Sequence, residues 1–301
     1  MRASLDSLTT LRQGVRRLTA SAASRRLLLL IGAALFVATA VLSLLNLPPI
    51  SEDPSWGTVA FVAIVLAPFT ALLSGVEYRQ TARLIGVEIS WPTALRVSVA
   101  SSAANLLPLP GSYLVRTGAL RTAGADRRSA FTAPLGVGLA WVGIGGLLGG
   151  GWLLVSTPSI FAAVLFLAGI VLLGLSAMAT KPTDAGAPIA AIRSIWLVEI
   201  AMTLLAGLRF FFILQAFGFD ASMGQALALA TSSIIATAVG IIPGGLGLRE
   251  LLAGAFAPLV ALPAAVGVLA AVINRVAGMV GLAIVAAFLS LAPSDAAVDP
   301  T

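Results

Sequence analysis

Runs of about twenty residues without a charge constrain this chain more than any other feature. Leu27 to Leu47 is uncharged over 21 residues, enough as a helix to cross roughly 30 Å of hydrocarbon. Trp56–Val76, Phe131–Leu154 and Ile160–Thr180 are also uncharged, while Ser194–Phe217 and Ala264–Leu291 are interrupted only by Glu199, Arg209 and Arg275. Segments of this kind cannot cover a soluble surface. The chain is 59% apolar and 10% charged, where a soluble domain carries about 25% charged residues. The expected fold class is an all-α polytopic membrane protein of about six full spans plus two re-entrant broken-helix hairpins. One transmembrane domain is expected over 27–291, between a basic N-terminal segment, 1–26, and a short polar tail, 292–301.

Cysteine and histidine are absent. That removes thiolate nucleophiles, the usual zinc and copper sites, and the commonest general base near neutral pH. No cofactor or metal is expected. The net charge of +6 is almost all arginine, placed at segment flanks, which speaks of orientation and anionic lipid, not of nucleic acid. Arg2, Arg12, Arg16, Arg17, Arg25 and Arg26 precede the first span, which is read as retained and not as a cleaved leader. Arg79, Arg83 and Arg96 follow the second span, whereas the loop between the two holds Glu52 and Asp53. An inner-membrane location with a cytoplasmic N-terminus is therefore expected. Trp56 and Tyr78 are placed as interfacial aromatics.

Two apolar segments are broken in the middle. Val97–Val115 contains Asn105, Pro108, Pro110 and Gly111, with arginines at both ends. Proline removes an N–H and clashes one turn back, so this segment should dip in from the cytoplasm and return. Met223–Leu262 contains Pro243, Gly244, Gly245 and Gly247, and neither flank carries lysine or arginine, which suits entry from the other face. Both breaks run from two aliphatics through proline to a glycine turn and then an arginine, Arg116 or Arg249. Such a pattern is the plan of an inverted repeat, with a site where broken helices meet.

Pro243-Gly-Gly-Leu-Gly-Leu-Arg249-Glu250 resembles the signature of the lysylphosphatidylglycerol synthase transmembrane region family, also called the flippase-like domain family. Arg275 is placed like the membrane arginine that follows that motif. Pro108 and Arg116 match an earlier family motif, which this chain departs from at Ser112 and Tyr113, where glycine and glutamate are expected. The order of spans agrees over nearly the whole chain. The resemblance implies translocation of polar-headed lipids between leaflets, without the soluble aminoacyl transferase to which the region is sometimes fused.

The candidate substrate-binding residues are Arg249, Glu250, Arg275, Asn274, Pro243, Gly244, Gly245, Gly247, Asn105, Pro108, Arg116 and Glu199. A half-helix N-terminus in the Pro243–Gly247 break offers N–H groups to a phosphate; a packing kink is the plainer reading. Arg249 and Arg275 would hold an anionic headgroup, with Glu250 orienting an arginine or accepting a proton, unless Glu250 and Arg275 form a structural salt bridge. Arg116 steers phosphate or only sets topology. Asn105 caps or cross-links the first hairpin. Glu199 and Arg209, ten residues apart, sit about 15 Å apart along one helix and do not pair directly. Glu199 is read as a second proton-carrying acid or as an interfacial residue. The function expected is a flippase-like protein that translocates or binds an anionic lipid and is not an enzyme. Its partners would be membrane lipids and a separate lipid-modifying or glycosyl-transfer enzyme. A small-solute secondary transporter and a non-transporting lipid-presenting protein stay open.

Overall fold

The computed structural model describes residues 22–49, 53–105, 111–180, 189–239 and 245–291. Among them, ten helices make up the regular structure: α1 (Ala22–Leu45), α2 (Trp56–Leu84), α3 (Trp91–Ala104), α4 (Gly111–Thr122), α5 (Arg127–Ser156), α6 (Ile160–Ala179), α7 (Ile189–Ala216), α8 (Met223–Val239), α9 (Leu248–Phe256) and α10 (Ala264–Leu291). Five of these, α2, α5, α6, α7 and α10, are long and apolar enough to cross a membrane. Helix α1 is 24 residues long, Ala22–Leu45. The basic residues before Ala22, the hairpin tips with Pro108, Pro243 and Gly244, and the tail 292–301 lie outside the described residues.

Helix α6 shows why lipid is the solvent. Its buried residues are Ala162, Gly169 and Ser176, one small residue every seven, which forms a single narrow stripe. Val164, Leu167, Ile170, Val171, Leu175 and Met178 are all exposed. An apolar helix that keeps one face for protein and the rest outward needs hydrocarbon around it. The stripe packs on α5, where Gly143, Gly146 and Gly150 let the backbones nearly touch. A Cβ on Gly169 would lie 2.7 Å from the Leu147 nitrogen, and one on Gly150 would lie 2.7 Å from the Phe166 nitrogen.

Helices α2 and α7 pack antiparallel at the centre. The Ser55 amide donates to the Ala216 carbonyl at 2.7 Å, and Trp56 meets Phe217 while Phe61 meets Phe212 edge to face. At the opposite end Leu84 packs with Ala191 and Ile195. Helix α2 contains a π turn, Val62–Leu66, just before Pro68; the wider turn absorbs the proline, which lacks an N–H.

Each broken segment forms two helical arms. Helices α3 and α4, of 14 and 12 residues, reach only about 21 and 18 Å, less than a bilayer core. The pair packs around Tyr78, Ala82, Ala94, Leu120 and Ala130, at the C-terminal end of α2. Helices α8 and α9 contribute Leu229, Ala253 and Phe256 to the core that also holds Phe210 and Leu214 of α7 and Val62 and Leu66, at the N-terminal end of α2. The two hairpins thus belong to cores at opposite ends of α2. Packing follows the exchange of α2 with α7, α3 with α8, α4 with α9 and α5 with α10. Under it α2–α3 maps onto α7–α8, α3–α4 onto α8–α9, α4–α5 onto α9–α10, α3–α10 onto α8–α5, and α2–α10 onto α7–α5.

Two sequence expectations need correction. Helix α2 does not end near Val76 but runs to Leu84, because Glu77 finds a buried partner and Tyr78 packs inward. Tyr78 is fully buried and its hydroxyl donates to the Arg116 carbonyl at 3.1 Å, so it is no interfacial aromatic. Trp56 is exposed.

Candidate functional site

The second hairpin re-enters its helical arm at Gly245 and Gly247, whose φ angles are 61° and 75°, a region open to glycine and strained for other residues. A Cβ on Gly247 would stand 2.7 Å from Leu35, so the turn sits directly against α1. Glu250, in the first turn of α9, is favoured there by the helix dipole. It is fully buried and receives two bonds from Arg275 of α10, Nε to Oε1 at 2.7 Å and Nη2 to Oε2 at 3.2 Å. Arg275 Nη2 also donates to the Gly245 carbonyl at 2.9 Å, and its guanidinium lies 5.9 Å from the Phe36 ring. The pair therefore ties both ends of the turn to α10.

Two further arginines belong to this neighbourhood. Arg209 of α7 is buried and donates to neutral acceptors, the Asn274 carbonyl at 2.8 Å and Thr70 Oγ1 at 3.4 Å. Arg249 is half-buried, and its Nε has no acceptor. It stands in the electrostatic field of Arg275, Glu250 and Arg209. The buried side-chain oxygen of Asn274 is also without a donor. Three guanidiniums share one described carboxylate, an excess of two positive charges. Central charges cost about 2.5–3.5 kcal/mol each to insert, so cations at such depth favour an anionic partner.

The first hairpin builds a group of the opposite balance. Arg116 of α4 grips Glu77 of α2 with both terminal nitrogens, Nη1 to Oε1 and Nη2 to Oε2 at 3.0 Å. Arg116 also donates to Ser74 Oγ at 2.8 Å and to Ser101 Oγ at 3.4 Å. Glu199 of α7 is 1% exposed, lies in the field of Glu77 and Arg116, and has one oxygen without a partner. Two carboxylates here face one guanidinium. Thr70, bonded by Arg209, and Ser74, bonded by Arg116, are neighbours on one face of α2, about 6 Å apart along its axis. The two charged groups consequently abut at mid-helix.

The structure brings together Gly245, Arg249, Glu250, Asn274 and Arg275, with Gly247 as the N-cap of α9. Asn105 ends α3 as its C-terminal cap. Arg116 and Glu199 fall in the other group, and Arg116 is engaged by Glu77. Glu77 was missed by sequence reasoning, since it stands between an apolar run and Arg79 and reads as a flank residue. Arg209 was noticed but not placed in the site; a lone arginine deep in an apolar span was the available signal. At the C-terminal end of α2, Arg79, Arg83, Glu88, Ile89 and Ser90 line an open cavity of about 350 Å³. Comparison with known proteins finds no matching family model, no matching curated protein and no matching solved structure.

Proposed function

We propose that this chain is a flippase-like transporter that moves a lipid with an anionic polar headgroup across a bacterial-type inner membrane, with its N-terminus in the cytoplasm. The observation that carries the reading is the cation excess beside the second hairpin, where Arg209 and Arg249 have no described carboxylate of their own. A phosphate would supply the missing charge and accept from both guanidiniums. The acyl chains would stay in hydrocarbon while the headgroup passes along the polar face of α2, from Thr70 to Ser74. The likeness of residues 243–250 to the flippase-like motif points the same way.

The test is reconstitution of the full chain in liposomes with fluorescent anionic, zwitterionic and cationic lipids. The anionic probe should cross fastest. Arg249→Ala should slow it at least about tenfold, the equivalent of 1.4 kcal/mol of lost headgroup interaction. Equal rates for all three probes, or Arg249→Ala matching the unsubstituted protein, would reject the reading.

A further inference from the structure

The group around Glu199 holds one acid more than its arginine is bonded to. Arg116 commits four of its five N–H groups away from Glu199: two to Glu77, one to Ser74 and Nε to Ser101. Glu199 makes no hydrogen bond to it, and Glu199 Oε2 has no partner. One turn further along α7, the hydroxyl of Thr203 is fully buried and equally unpartnered. Of the helices packed on α7, α2 brings Glu77 to Glu199 while its Arg79 and Arg83 line the open cavity at its C-terminal end, and the charged residues of α5 are Arg127 and Arg128 at its exposed start. Helix α8 has no charged residue, and the arginine of α10, Arg275, is held by Glu250. Arg209, on α7 itself, is bonded to Thr70 and Asn274. Glu199 therefore faces one acid and one already committed base, away from water.

A second carboxylate left ionised there would add an unpaired charge at membrane depth beside a like charge, which is unfavourable on both counts. A bound metal ion would need several oxygens, and no group of three or more acidic side chains that could supply them occurs among the described residues.

We propose that Glu199 is a proton-binding site, and that Arg116 sets its occupancy by pairing with either Glu77 or Glu199. While Arg116 holds Glu77, the proton resides on a Glu199 oxygen. When movement of the first hairpin carries Arg116 toward Glu199, that proton leaves the Glu199 oxygen and one is taken up on Glu77. One proton and one guanidinium are thus shared by two carboxylates, and no other bond is made or broken. The site would couple hairpin movement to a proton gradient. That coupling rests on the transport reading; the proton site itself does not.

Infrared spectroscopy of the full chain in lipid nanodiscs reads the carbonyl stretch of a protonated carboxylic acid directly. At neutral pH the band should be present, and Glu199→Gln should abolish it without lowering the melting temperature, because a neutral amide replaces a neutral acid. Glu77→Gln should abolish it too, since Glu199 then becomes the one acid left to Arg116. A band that persists in Glu199→Gln, a melting temperature that falls in Glu199→Gln as far as in Glu77→Gln, or a band removed by sodium at constant pH would overturn the proposal. In liposomes, the ratio of lipid translocation rates with and without a pH gradient should exceed one and fall to one in Glu199→Gln. A present band with no lipid movement would defeat the transport reading and the coupling but leave the proton site standing. Lipid movement with no band would defeat the proton site alone.

Discussion

Glu250 and Arg275 are both buried and satisfy each other, so removing one leaves the other's charge stranded. Glu250→Gln should destabilise the protein by about 3–5 kcal/mol, read as a shift in its detergent unfolding curve. Adding Arg275→Met should recover much of that loss, because replacing both partners removes the stranded charge. Arg249 differs, since its charge has no described carboxylate to strand. Arg249→Ala should keep or raise the melting temperature while transport falls; a large drop in stability would make it a structural residue instead. The Glu250–Arg275 pair was legible in the sequence because charges within spans must find each other. Glu77 was not, for sequence order cannot show that it turns from nearby Arg79 toward Arg116, 39 positions away.

Among the elements, the α5–α6 hairpin depends on backbones at contact distance. Gly169→Ala should cost about 1–3 kcal/mol by overpacking against Leu147. Gly174→Ala, on the same helix but with nothing within 4 Å, should be neutral or slightly stabilising by thermal unfolding. The start of α5 carries a pH signature. Asp126 caps it, accepting from the Arg128 and Ser129 amides at 2.8 and 3.1 Å, and hydrogen bonding to Ser129, first through its side chain, lowers the carboxyl below its usual range. A lowered carboxyl stabilises the fold at neutral pH and loses that contribution as pH falls through its folded value. The difference in melting temperature between the unsubstituted chain and Asp126→Asn should therefore shrink on acidification; a difference constant with pH would contradict the cap. Helix existence was readable from uncharged runs, and α10 starts at Ala264 as the hydropathy pattern has it. The end of α2 was not, because Glu77 and Tyr78 look like an interface until Arg116 is folded against them.

At the scale of the molecule, the breaks at 105–110 and 240–247 were foreshadowed by the prolines and glycines gathered there, which disfavour a continuous helix although α5 accommodates Pro134 and its own glycines. What the sequence could not convey is that Arg116 of the first hairpin and Arg209 of α7 meet one face of α2, at Ser74 and Thr70, because that depends on α2 and α7 packing antiparallel. The account stands on the hairpins entering from opposite sides. The chain has no cysteine, so single cysteines placed at Ala123 and Ala261, in the turns beyond α4 and α9, can be probed in sealed vesicles with a membrane-impermeant maleimide. Ala123→Cys should label from one side only and Ala261→Cys from the other only. Labelling of both from the same side would place the hairpins on one face and contradict their opposed entry.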